Sequence, residues 1–272
     1  MDGIEFIERP EIAKTFFWKR PSFFQSMTPY DLKARGMDVV GPLSMDALHH
    51  HQMRYMQAYM NSVQPFRPDE KSELVSLVKR ANKLLRPFPN IFCLPWRFCK
   101  LTGGIESGFP HTLSDIIFLP HDFVPGFGNG PQRNSEKNYQ KILEVLVHEK
   151  VHVYQRKFRI ATQMLVHQVW NYSFFDYMHK YMDARNNPDL DGIIYKSAPR
   201  APGFYMGYMA NSPPDLANAI IKTTGGDGSN SVKERYEHPY ERMAYEISKL
   251  VVGQELIDEY TAPLMRWMID NL

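Results

Sequence analysis

Cysteine is almost missing from this sequence: Cys93 and Cys99 are the only two in 272 residues. A disulfide scaffold is excluded, and five intervening residues do not make the close pair of thiolates that a zinc knuckle needs, so both are expected as packed or free thiols. An excess of charge of one sign is also missing. The chain has 32 Lys and Arg against 30 Asp and Glu, a net charge of +2, with no basic tail or Lys/Arg cluster. No nucleic-acid partner is expected from that balance. No stretch approaches ~20 continuous apolar residues, so no membrane span is expected. The first residues, Met1-Asp2-Gly3-Ile4-Glu5, are acidic and lack a cationic-then-apolar run, which argues against a signal peptide. An intracellular, cytoplasmic setting is the expectation that follows. What remains is ordinary for a globular chain, 43% hydrophobic and 23% charged, and long enough to bury one large core.

Against that background one stretch stands out, Lys141 to Arg156, which contains His148-Glu149-Lys150-Val151-His152. Residues four apart on a helix lie one turn up on the same face, so His148 and His152 can present imidazole nitrogens to one ion. Zinc accepts such nitrogens at roughly 2.0–2.1 Å and leaves room for a water. Glu149 lies about 100° further round the helix, away from the ligand face and well placed to take a proton from that water. Ile142, Leu143, Val145, Leu146, Val147, Val151 and Val153 make the segment apolar almost all round, as in a buried helix. A carboxylate and two imidazoles on such a helix are costly to bury without a partner, and a metal ion supplies one. The alternative is a chance match whose histidines are merely hydrogen-bonded.

His148-Glu149-x-x-His152-Val-Tyr-Gln155 resembles the active-site helix of the zincin-like metallopeptidases. The extended metzincin pattern is not met, because Gln155 and Phe158 occupy the positions of its Gly and third His. In the gluzincin branch the third ligand is a Glu on a later helix, often in an E-x-x-A-D-like string. Glu241-x-x-Ala244 resembles that string, with Tyr245 where several families have Asp. The resemblance implies one zinc ion held by His148, His152 and Glu241, with Glu149 as general base. It further implies an α+β fold, a mainly helical zincin-like core with a small β-sheet whose edge strand can pair with an extended peptide. A Tyr or His donor, Tyr245 or His238, would stabilise the oxyanion. His167 and Asp176 stand as alternative third ligands. Glu241 also admits a plainer use, as an acidic residue in the first turn of a helix that Pro239 begins and His238 caps.

The rest of the chain is expected as follows. Residues 1–66 form a helical extension and 67–272 the catalytic domain. Phe16, Phe17, Trp18, Phe23 and Phe24 pin the amino-terminal segment to a larger body. Ser44 opens a helix reaching about Ser62, and its His49-His50-His51 run, pointing about 100° apart per residue, reads as a partly exposed face. Glu70 to Leu85 is an amphipathic helix. Strands are expected at Ile91–Leu94, Phe98–Leu101 and Asp115–Leu119, with His111 and His121 flanking the last. Ala161 to Asp183 reads as a long aromatic helix, 197–214 as irregular, and Asp215–Lys222 as a short helix or strand. The glycine-rich stretches 126–130 and 223–230 read as loops, and Glu255–Leu272 as a closing helix broken at Pro263.

The function expected is hydrolysis of a protein or peptide substrate by a single-zinc metallopeptidase, with three protein ligands and a reachable cleft beside Glu149. Two alternatives differ in class: a metal-dependent hydrolase of a non-peptide amide, and an inert zincin-like binding or structural protein. Sequence does not define the oligomeric state.

Overall fold

The computed structural model describes residues 3–17, 21–41, 43–123, 136–210, 212–224, 236–254 and 261–272. The stretches 126–130 and 225–230, Trp18 and the start of the closing segment lie outside the described residues. The elements run β1 (Ile4–Ile7), α1 (Pro10–Phe17), α2 (Pro21–Gln25), α3 (Pro29–Ala34), α4 (Met45–Asn61), β2 (Val63–Gln64), α5 (Pro68–Leu85), α6 (Pro89–Phe92), β3 (Trp96–Leu101), β4 (His111–Leu113) and β5 (Ile116–Pro120). They continue with α7 (Glu136–Lys157), α8 (Arg159–Met164), β6 (Ser173–Tyr177), β7 (Ile193–Lys196), β8 (Phe204–Gly207), β9 (Ile220–Thr223), α9 (Pro239–Val251) and α10 (Thr261–Asn271). The class is α+β, as expected, with two sheets among the described residues rather than one.

The first sheet has the order β1-β3-β5-β4, with β2 beside β1 on the same edge of β3. β1, β3 and β5 are parallel, and β4 turns back antiparallel on β5. Side chains alternate across a strand, so successive residues of β3 and β5 feed opposite faces. Trp96, Phe98, Ile117 and Leu119 enter a core with α5, α7, α9 and α10, whereas Cys99, Leu101, Ile116 and Phe118 enter a second core with α2 and α4. Burial on both faces explains why these strands read as short apolar runs without alternation. The first 66 residues therefore supply two strands of this sheet and the helices over one of its faces. Phe23 and Phe24 are buried there, next to Tyr55 and Tyr59 of α4.

Local signals fixed several boundaries. The Ser44 hydroxyl accepts from Ala47 N at 3.2 Å and starts α4, which leaves His49 and His50 exposed. In α5, Leu74, Leu77, Val78, Ala81 and Leu85 are all buried on one face. No described helix is long and apolar enough to cross a membrane.

Four expectations are corrected. Pro89 starts a one-turn helix, α6, where a strand was expected at Ile91–Leu94; proline's fixed φ suits a first helical turn. The expected helix at 161–183 ends early: α8 passes through a wider turn at Leu165–Val169, and Asn171 then takes φ +56°. Left-handed backbone stops a helix, and the aromatic run beyond it forms β6, where ring-bearing residues are favoured. β6 is the edge of the second, antiparallel sheet β6-β7-β8-β9, to which the supposedly irregular 197–214 contributes β8. Pro263 does not break α10, because it lies in that helix's first turn, where no intrahelical donor is needed. Asp215–Lys222 divides into a 3₁₀ turn at Leu216–Asn218 and the strand β9.

Candidate metal centre

α7 is buried along Leu143, Leu146, Val147, Val151, Val153 and Tyr154, which fixes its rotation against the sheet and α9. That rotation turns His148 and His152 toward the first turn of α9. The α9 start is set by His238, whose Nδ1 accepts from Tyr240 N at 3.1 Å, and by Pro239 at the first helical position. Glu241 follows within that turn and faces the two histidines. Three residues converge: His148 Nε2 lies 3.1 Å from His152 Nε2 and 3.4 Å from Glu241 Oε2, and His152 Nε2 lies 3.7 Å from the other oxygen, Glu241 Oε1. They form the one group of three or more potential ligands among the described residues.

The spacing can be tested against zinc. With bonds of roughly 2.0–2.1 Å, two ligands of a tetrahedral ion stand about 3.3 Å apart. The closest approaches between the three residues bracket that value, and one atom from each lies within 4.8 Å of the others. Two neutral imidazoles and a carboxylate also match the chemistry of an open zinc site. Ring orientation supports the fit at His152: Nδ1–H donates to Gln155 Oε1 at 2.8 Å, leaving Nε2 bare toward the triad. Gln155 is fixed in turn by donating to Tyr240 O at 2.8 Å. His148 lacks such support, since its Nδ1 is buried with no hydrogen-bond partner among the described residues.

Electrostatics divide the charges. Burial alone would raise the Glu241 carboxyl, but the two imidazoles overcome it and hold it at about 2. Burial disfavours charge on His148 too, yet its contact with Glu241 raises it to about 8. His152, more deeply buried, is pushed down instead. Without a metal Glu241 therefore favours its charged form, and of the two imidazoles His148 is the one that takes up an extra proton more readily.

Glu149 lines the same cleft, of about 760 Å³. The Thr112 hydroxyl of β4 donates to Glu149 Oε2 at 2.8 Å. Burial, with the nearby Asp189 carboxylate adding to it, pushes the Glu149 carboxyl up to about 8. A carboxyl so placed can hold a proton and release it near neutral pH. Tyr245, one turn beyond Glu241, lays its ring 4.4 Å from that of His148 and is 43% exposed at the cleft.

Not every expected residue is here. His238 is buried and engaged elsewhere: its Nδ1 caps α9, while its Nε2 lies 3.2 Å from both Ile193 O and Asp191 Oδ1. Its cap duty turns the ring away from the cleft, so the structure does not place it as an oxyanion donor. His167 bonds Tyr172 O at 2.7 Å and Asp176 pairs with Lys180 at 2.6 Å, and neither joins the triad. His121 is more than half exposed, whereas His111 lines the cleft with its ring held between Tyr59 OH and Phe109 O.

Sequence alone assigns no role to the strap from Ala184 to Asp191. Asn187 Nδ2 donates to Glu241 Oε1 at 3.1 Å and to Glu237 Oε1 at 2.7 Å. Asp189 Oδ1 accepts from Thr112 N at 2.7 Å, and Arg156 Nη2 donates to both Thr112 O and Pro188 O at 2.8 Å. The strap thus joins α7, β4 and the start of α9. Its signal was the density of Asn and Asp, side chains that bond to nearby backbone as readily as water does.

In comparisons with known proteins, no family model, no curated protein and no solved structure matches this chain.

Proposed function

We propose that this chain is a zinc-dependent metallopeptidase of the gluzincin type. The reading is carried by one observation: His148, His152 and Glu241, from two helices, bring one ligand atom each to within 4.8 Å of one another beside the Glu149 carboxylate. His148, His152 and Glu241 would hold the ion, with Asn187 and Gln155 orienting Glu241 and His152. Zinc, when bound, supplies a Lewis acid that polarises a carbonyl and lowers the pKa of a water toward ~7. Glu149 receives a proton from the attacking water and passes it to the leaving amine, for which a carboxyl raised by burial is suited. Thr112 fixes which Glu149 oxygen is free, since Oε2 already accepts its hydroxyl. Tyr245 offers a hydroxyl donor toward the carbonyl oxygen as it becomes negative.

The test is hydrolysis of an unbiased peptide library by the zinc-loaded chain and by Glu149→Gln. The amide keeps the shape and the ligands but cannot accept the proton. Cleavage by the parent and a loss of at least ~10²-fold in the variant, at equal zinc content, supports the proposal. Turnover retained by Glu149→Gln removes Glu149 as the base.

A further inference from the structure

The cleft beside the triad contains a cation whose side chain makes no hydrogen bond among the described residues. Arg185 follows the Ala184–Gly207 bridge, where its own N–H donates to Met206 O at 2.8 Å. Its side chain lines the cleft and is 18% exposed. Nε is buried without a partner among the described residues, and the closest described carboxylate oxygen, Glu237 Oε2, lies 3.8 Å from Nη1, too far for a hydrogen bond. Arg35 shows what a satisfied guanidinium looks like in this protein: it donates to Glu106 at 2.7 and 2.9 Å, to Asp31 at 3.0 Å and to Asn186 O at 2.7 Å. Arginine carries five N–H donors and keeps its charge at any ordinary pH. Donors left unmet in a cleft wall are costly unless something arrives to accept them.

A second observation concerns how a peptide can lie in this cleft. β4 is the sheet edge beside Glu149, but Thr112 at its centre has its N–H taken by Asp189 and its C=O by Arg156. Pro110, the residue before the strand and also at the cleft, has no N–H at all. An extended peptide laid along this edge meets no free donor at either position, so the usual backbone ladder is closed to it there. Recognition falls to side chains and end groups.

We propose that Arg185 receives a carboxylate of the substrate. The assignment takes the hydrolase reading for its word "substrate", while the carboxylate site stands on Arg185 itself. Its fork suits a planar carboxylate held by two parallel bonds. A doubly charged phosphate is disfavoured, because Glu237, Glu241 and Glu149 crowd the same cleft. The link from Arg185 to Glu237 (3.8 Å), on to Asn187 (2.7 Å) and then Glu241 (3.1 Å) puts an upper bound on the distance to the triad. Two or three extended residues, at roughly 3.3–3.6 Å each, cover it. The carboxylate is therefore within about three residues of the cleaved bond, either the chain terminus or an acidic side chain.

The experiment uses the zinc-loaded full chain with Glu149→Gln, so that no probe is consumed. Three probes are titrated by calorimetry: N-acetyl-trialanine with a free carboxylate, its carboxyl-terminal amide, and N-acetyl-Ala-Asp-Ala-amide. At least one of the two acids is expected to bind about ten-fold tighter than the neutral amide, as a charge-assisted pair provides. Whichever acid does so tells a terminal from a side-chain carboxylate. Adding Arg185→Gln should erase the preference and Arg185→Lys should keep part of it, with zinc content and melting temperature unchanged in both. Equal affinity of acids and amide overturns the proposal, as does failure of all three to bind below ~10 mM. A preference that survives Arg185→Gln also overturns it, since the carboxylate then sits on the metal. An Arg185-dependent preference in a chain whose Glu149 parent cleaves nothing keeps the carboxylate site and removes the peptidase reading.

Discussion

Gln155 accepts the Nδ1 proton of His152 at 2.8 Å and donates its own amide to Tyr240 O at 2.8 Å. One side chain therefore ties an imidazole of α7 to the first turn of α9, the turn that carries Glu241. Gln155→Ala removes the acceptor that sets the His152 ring. Partners of this kind are commonly worth 10–100-fold in metal affinity. We expect zinc affinity to fall by about that factor, measured by competition with a chromophoric chelator, while far-ultraviolet circular dichroism is unchanged. Unaltered affinity would leave Gln155 as packing only.

Removing the metal should change stability in a pH-dependent way. In the metal-free chain His148 is raised from its ordinary 6.5 to about 8, and Glu149 from 4.5 to about 8. Both groups hold their proton more tightly folded than unfolded. Their contribution is complete below pH 6.5 and 4.5 respectively, and is lost as pH rises through about 8. Glu241 has the opposite sign: held at about 2, it contributes above 4.5 and loses that only as pH falls toward 2. Below pH 6.5 the lowered His152 works the other way, so the metal-free chain is expected to lose stability between pH 6.5 and 8, with His148 alone accounting for on the order of 2 kcal/mol. Urea unfolding with a chelator at pH 6.5 and 8 measures this. Equal or greater stability at pH 8 contradicts the charge assignment.

Zinc should displace the His148 proton and stabilise the fold by mass action. At a free concentration ~1,000-fold above Kd the gain is about 4 kcal/mol. For a chain of this size each kcal/mol moves Tm by about 2–4 °C. Calorimetric scans with zinc and with chelator are expected to differ by about 10 °C. Coincident scans would mean that the triad does not hold the ion in the folded state.

Thr112→Val deletes the hydroxyl that donates to Glu149 Oε2 at 2.8 Å. That bond favours the carboxylate, so its loss should raise the Glu149 pKa further. The acid limb of the kcat/KM profile is expected to move to higher pH, with zinc content unchanged. An unmoved limb assigns it to another group.

How much of this was legible in the sequence follows the range of each interaction. The i, i+4 histidines need only helical geometry, and their place on α7 was readable from Val147 and Val151. His238 as cap and Glu241 in the first turn were readable because Pro239 marks a helix start. The strap was not readable, since Asn187 and Asp189 act on residues 54 and 77 positions away. β6 was hidden because Leu165, Val169, Tyr172 and Phe175 repeat at helical spacing, while the turn that ends the helix depends on one left-handed residue, Asn171. His238 was a candidate donor, but both its ring nitrogens are engaged away from the triad, Nδ1 with Tyr240 N and Nε2 beside Ile193 O and Asp191.

The central claim is that His148, His152 and Glu241 hold one zinc ion. The direct measurement is zinc content by elemental analysis after loading and exhaustive dialysis, on the parent chain and on His148→Ala, His152→Ala and Glu241→Ala, each checked for folding by circular dichroism. The account expects one zinc per parent chain and a loss of tight binding in all three folded variants. A parent chain that retains no zinc, or a folded Glu241→Ala that retains it as tightly as the parent, would contradict the account.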